Sequence, residues 1–222
     1  MTAPTTTAAD LGGAGGTDEG RRPAARRFGL LAVVAAVVVG LLLGYAGGLL
    51  TPKLTRPGDT SAEAGFARDM TTHHTQAVEM GLIAFKGGTD PEVVSIGGDI
   101  AAAQQGEIGV MQSWLRSWGL DPTGSQPRMA WMPDGEKMIR DGLMPGMATP
   151  EEMAKLRAAQ GREKDVLFLE LMIDHHTGGI HMIDGILDVS DEAEVVRVAQ
   201  TMKNVQQKDL TNLVAARDRL KG

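Results

Sequence analysis

The stretch Phe66 to Met80 recurs 102 residues later as Phe168 to Met182. Six of its fifteen positions are identical: Phe66/Phe168, Met70/Met172, His73/His175, His74/His176, Thr75/Thr177 and Met80/Met182. The same offset, without a gap, pairs Glu92, Val93 and Val94 with Glu194, Val195 and Val196, and Gln104 and Gln105 with Gln206 and Gln207. Each copy is therefore a pair of segments, and a supersecondary unit repeated in this way buries its apolar face against its neighbour. Apolar residues recur at near-helical spacing in both second segments, at Val93, Ile96, Ile100, Ile108 and Met111 and at Val195, Val198, Met202, Leu210 and Leu213. Thr60 with Glu63, Thr89 with Glu92 and Asp191 with Glu194 have capping-box spacing, and Thr149, Pro150 and Glu152 add a proline at the first helical position. Helices are predicted near 61–86, 90–118, 162–188 and 191–220, with a shorter one near 150–160. No extended alternating run or Asn-Gly turn marks a strand. The expected fold is all-α: two repeated helical hairpins sharing one core as a four-helix bundle over 61–222.

Residues 120–148 separate the copies. Prolines at 122, 127, 133 and 145 interrupt any long helix there. The stretch also carries Trp131 and Met129, Met132, Met138, Met144 and Met147, large apolar residues expected to pack across one end of the bundle. Ahead of the bundle, residues 1–27 are rich in Thr, Ala and Gly and are predicted to be a disordered tail. Phe28 to Leu50 is an uncharged run of 23 residues, long enough to cross a bilayer as a helix. Residues 51–60 are then a linker.

Four arginines precede the apolar run, while only Lys53 and Arg56 closely follow it. The positive-inside rule places the N-terminus in the cytoplasm and the bundle outside, as a single-pass membrane protein. The alternative is a secreted protein cleaved near Gly44, Tyr45 and Ala46. Gly40, Gly44 and Gly48 form two overlapping GxxxG spacings, the pattern of a membrane-helix homodimer.

All five histidines lie inside the repeat, thirteen methionines stand against one tyrosine, and there is no cysteine. The last fact excludes disulfides, thiolate metal sites and cysteine nucleophiles. After Thr51 the chain carries 18 Lys and Arg against 25 Asp and Glu, a balance that favours cations over nucleic acid as partners. On a helical wheel Met70, His73, His74, Ala77 and Met80 fall within roughly 120°, and Met172, His175, His176, Gly179 and Met182 repeat that face. Each wall of the bundle thus offers two imidazoles and two thioethers beside a small residue.

A methionine stripe alone is usually core filling. Packing does not call for adjacent imidazoles on both walls, so the four histidines are read as metal ligands with Met70, Met80, Met172 and Met182 as soft partners. Thioether and imidazole favour copper, Cu(I) above all. No Glu-x-x-His occurs, as a ferritin-like di-iron centre requires; Met70 and Met172 stand at those positions. This points to buffering, resistance or hand-over of copper rather than catalysis. Two rival readings are a metal-dependent redox enzyme, and an interaction module with structural histidines. His181 falls on the opposite side of its helix; with Met144 and Met147 it is a candidate for a secondary metal site, or a solvated surface residue.

These residues resemble the domain-of-unknown-function 305 (DUF305) family of ferritin-like bundles. The matching pieces are Phe66 with Met70, His73, His74, Ala77 and Met80; the connection Met144 to Met153; and Phe168 to His176. The resemblance spans roughly residues 60–220. It implies an exported or membrane-anchored four-helix protein of a family in which some members are linked to copper binding and resistance. Thr177 and His181 stand where such proteins often carry acidic residues.

Overall fold

The computed structural model describes residues 24–54 and 56–222, and the chain divides into two compact units at Thr55. In the first unit, α1 (Ala24–Leu54) is a single 31-residue helix. At 1.5 Å per residue it is about 46 Å long, against about 30 Å for a bilayer core. Its stretch Gly29–Gly48 has a mean hydropathy of 2.5, and all its side chains there are exposed. Of the expected tail, residues 1–23 lie outside the described residues. Ala24 to Arg27, residues of high helix propensity, extend the helix ahead of the apolar run, and Thr51 to Leu54 extend it beyond.

The second unit is all-helical among the described residues. It comprises α2 (Ala62–Gly87), α3 (Pro91–Trp118), α4 (Pro150–Ala158), α5 (Gly161–Val189) and α6 (Ala193–Lys221). Hairpins α2/α3 and α5/α6 meet mainly through α2 against α5, which sets the two histidine-bearing helices face to face. The duplication extends through the core. Phe66 and Phe168, Val93 and Val195, Ile100 and Met202, and Met111 and Leu213 are 102 residues apart and all buried. The hairpins differ where Gly81 and Gly97 of the first become Ile183 and Ala199 of the second. A Cβ on Gly81 would lie 2.5 Å from the Gly97 carbonyl, so α2 and α3 approach more closely than α5 and α6.

Two of the expected helix caps are corrected by one residue. Ser61, not Thr60, caps α2, its Oγ accepting from Ala64 N–H. Asp90, not Thr89, caps α3, and Thr89 instead gives its N–H and hydroxyl to the buried Asp165. Asp191 caps nothing: α6 starts after Glu192 without a side-chain cap, and Glu192 N–H donates to Ser190 Oγ. At α2 and α3 the oxygen that meets the first open amides belongs to the residue one position after the one picked by spacing. The box at Thr149 and Glu152 forms in full.

The connection between hairpins is ordered by an element that spacing does not reveal. Asp69, buried on α2, accepts from Met129 N–H at 2.7 Å and Trp131 Nε1–H at 2.8 Å. Burial pushes its carboxyl pKa up, while these two donors pull it down. The bonds hold Met129 at φ 63°, a left-handed conformation that disfavours a side chain. Trp131 then lies over Gly65, edge-on to Phe66 with ring centroids 5.5 Å apart, and Met132 lies over Gly185. Both donors meet the same oxygen, Oδ2, so Asp69→Asn leaves an oxygen that can stand in its place but strips the charge from both bonds. It is expected to cost about 2 kcal/mol, read as a lower urea midpoint with a weakened near-UV tryptophan signal.

Candidate metal centre

The helical faces predicted from the wheel turn inward. His73, His74, His175 and His176 are at most 1% exposed, and Met70, Met80, Met172 and Met182 are fully buried. Because α2 and α5 run antiparallel, the methionines divide crosswise. Met70 and Met182 join one core cluster, and Met80 and Met172 join the other, with the imidazoles on the helix turns between them. His73 and His175 meet across the bundle with ring centroids 3.8 Å apart at 37°. His74 and His176 flank them, 6.5 and 6.4 Å from their respective neighbours. Gly179 makes room: a Cβ there would fall 2.6 Å from Gln206 Oε1 and 3.3 Å from the His73 ring.

Each imidazole donates its one N–H to an oxygen that can only accept. His73 Nε2–H donates to the Pro145 carbonyl at 3.0 Å, and His175 Nε2–H to the His73 carbonyl at 3.0 Å. His74 Nε2–H donates to Glu107 Oε2 at 2.7 Å, and His176 Nδ1–H to the Met172 carbonyl at 3.1 Å. Those acceptors fix the tautomers and leave the lone pair on the opposite ring nitrogen. Three such nitrogens, His73 Nδ1, His74 Nδ1 and His176 Nε2, are buried without a hydrogen-bond partner. Burial holds the His73 pKa down to about 3 and His175 well below its ordinary value, with the neighbouring imidazoles adding repulsion. His73 and His175 are therefore neutral at physiological pH.

The acidic partners follow the repeat. Glu107 and Asp209 are 102 residues apart; the second lies 3.7 Å from His176 Nε2, beyond hydrogen-bond distance. Gln104 and Gln206, also 102 apart, are buried, with Gln104 Oε1 and Gln206 Nε2 unpartnered. The Gln104/Gln206 match was visible in the sequence. The Glu107/Asp209 pair aligns at the same offset, but as two different residues it gives no identity to single it out. The Pro145 carbonyl had no sequence signal, because it reaches His73 through backbone. Among the described residues, no three His, Asp or Glu side chains converge on one point, so any single ion would need the thioethers or few ligands.

The other candidates separate. Met144 is 2% exposed and belongs to the core with Met129 and Met132. His181 is exposed on the outer side of α5, where its Nε2 lies 3.1 Å from Met138 Sδ. Met147 is half-buried beside it in the connection.

A family model described as a domain of unknown function, DUF305, matches residues 63–217. Among solved structures the chain is similar to a DUF305 protein from Streptomyces coelicolor, at 38% identity over 74% of this chain and 97% of that one, with a TM-score of 0.68. It is similar to a DUF305 fragment from Deinococcus radiodurans at 27% identity, covering 71% and 96%, with a TM-score of 0.60. CopM in its Cu(I)-bound form shares the fold at 20% identity, covering 73% and 99%, with a TM-score of 0.56. No curated protein matches the chain.

Proposed function

Since the chain belongs to the DUF305 family, we propose that it is an exported, membrane-anchored protein that binds Cu(I) as cargo, for buffering, resistance or hand-over. His73, His74, His175 and His176 are the primary ligands, with Met70, Met80, Met172 and Met182 as soft donors beside them. The observation that carries this reading is the set of tautomers. Ligating histidines characteristically give their second N–H to a carbonyl or carboxylate, which orients the ring and raises its basicity. All four imidazoles here do so, and three present a buried nitrogen with nothing to bind. Left empty, each such nitrogen is a desolvated acceptor costing on the order of 1–3 kcal/mol; a metal ion relieves that cost.

Copper is favoured over harder ions because the remaining donors are thioethers. CopM, captured with Cu(I) and with Cu(II), is a precedent for copper on this fold. Helix α1 supplies the anchor, with the arginine-rich end on the cytoplasmic side.

The test is an anaerobic competition titration of the full chain in detergent against a chromophoric Cu(I) chelator, beside the His73→Gln/His74→Gln/His176→Gln variant. The variant is expected to bind at least about 100-fold more weakly, a loss of about 2.7 kcal/mol. Glutamine keeps polar bulk in the core, so helicity should persist. Bound Cu(I) should also raise the wild-type melting temperature, because it binds only the native state. Equal affinity in the two proteins would remove the imidazoles from the site.

A further inference from the structure

The connection between the hairpins brings a second set of soft donors together outside the buried layer. Met138 ends a short 3₁₀ turn, Gly135–Met138, and its Sδ meets His181 Nε2 at 3.1 Å. His181 and Met147 line one cavity of about 500 Å³, which Glu152 and Asp174 also line. Met138 and Met147 line a smaller cavity of about 170 Å³ that shares Pro145 and Gly146 with the first. One imidazole and two thioethers thus border two neighbouring hollows that share Pro145, Gly146 and Met147, where the carboxylates of Glu152, Asp174 and Asp141 outnumber the single cation, Arg140.

The same loop separates this space from the buried imidazoles. Pro145 lines both cavities, and its carbonyl accepts the His73 Nε2–H. One peptide segment therefore stands between the exposed donors and the histidine layer.

We infer that His181, Met138 and Met147 form an exposed site for a single soft monovalent cation, Cu(I) or Ag(I), which takes the ion before the buried layer does. The loading order, though not the exposed site itself, rests on the copper-holding reading given above. An N–H···S contact accounts for the His181–Met138 approach in the free protein. An ion between the two needs metal–nitrogen and metal–sulfur bonds comparable to the roughly 2.0 and 2.3 Å of zinc. The donors must then part by a fraction of an ångström to about one, which an exposed imidazole and an unbranched methionine permit.

The experiment is a titration of the full chain in detergent with Ag(I), a redox-inert stand-in for Cu(I), followed by the methionine methyl resonances. Met138→Leu and Met147→Leu assign the two peripheral signals. The first additions are expected to move the Met138 and Met147 methyls, and Met70, Met80, Met172 and Met182 only later. In His181→Asn, an exposed substitution that leaves the core untouched, the early shifts should vanish and the late ones remain. Peripheral methyls that stay still while the buried ones move would overturn this inference and leave the buried site standing. Peripheral shifts without buried ones would support the exposed site and remove the loading order along with the function proposed for the histidine layer. No shift in either group would overturn both.

Discussion

Between about pH 6.5 and pH 4.5 the metal-free protein is expected to lose about 2 kcal/mol of folding stability through His73 alone, and His175 adds a further loss in the same direction. His73 has its folded pKa depressed to about 3 from an ordinary 6.5, and that of His175 is likewise well depressed. Well above pH 6.5 both are neutral whether the chain is folded or not, and their contribution is fully present. As pH falls below 6.5 the unfolded chain takes up protons that the folded core refuses, and stability drops by about 1.4 kcal/mol per pH unit for each ring. The loss ends only when the pH reaches the folded values. Asp69, whose pKa burial raises, works in the opposite sense as it protonates and offsets part of the loss.

A small domain has roughly 5–15 kcal/mol to lose, so the loss at these two rings is a substantial part of it. Urea unfolding followed by far-UV circular dichroism at several pH values measures this directly. The His73→Gln/His175→Gln variant should show a much flatter profile over the same window. A wild-type profile that is already flat there would mean that both rings are protonated or solvated in the fold, contrary to their burial.

Gly178→Ala is the second large effect, expected to cost about 3 kcal/mol. A Cβ on Gly178 would fall 2.0 Å from the Pro145 oxygen, 2.3 Å from its carbonyl carbon and 2.7 Å from Gly146 N. All three are backbone atoms, so the connection itself must lift away from α5. Gly146 is pressed equally close: at φ 77° its own Cβ would meet the Asp174 carbonyl at 2.3 Å. Lifting Pro145 also removes the acceptor that fixes the His73 tautomer. The variant should therefore show two changes together, a lower unfolding midpoint and an altered His73 pattern in imidazole nitrogen NMR. Gly179→Ala is the control. Its closest contact is the Gln206 side-chain oxygen, which can swing aside, and its cost should be smaller. Equal stability of Gly178→Ala and wild type would show that the loop does not bear on the helix as described.

Gly178 also shows where the duplication was broken to make the site. Its counterpart in the first repeat is Gln76, whose amide both donates to the Ala148 carbonyl and accepts from Ala148 N–H. One copy grips the connection with a side chain, and the other admits it by having none. As a result the acceptors of His73 and His175 differ: the loop carbonyl of Pro145 for one, the helix carbonyl of His73 for the other. Sequence identity at the two histidines gives no hint of this asymmetry.

The amino-acid order by itself determined whatever depends on residues a few positions apart or on the repeated pattern. Helical periodicity placed the inward faces of α2 and α5, and the offset of 102 predicted two like hairpins around a shared core. The uncharged run marked the long apolar helix α1, and the histidines and methionines named a soft donor set. Spacing alone does not pick Ser61 and Asp90, where two adjacent residues compete to cap the same amides and one or two hydrogen bonds decide.

Only the tertiary structure decided which ring nitrogens are free. Their acceptors come from far along the chain, Glu107 for His74 and Pro145 for His73, and no spacing rule reaches across 33 or 72 residues. Nor does composition say that Asp69 will be buried to hold Met129 and Trp131, or that Met144 belongs to the core while Met138 meets His181. Donor type is a property of the residue. A vacant, oriented lone pair is a property of what packs around it, and that exists only once the connection has closed over α2 and α5.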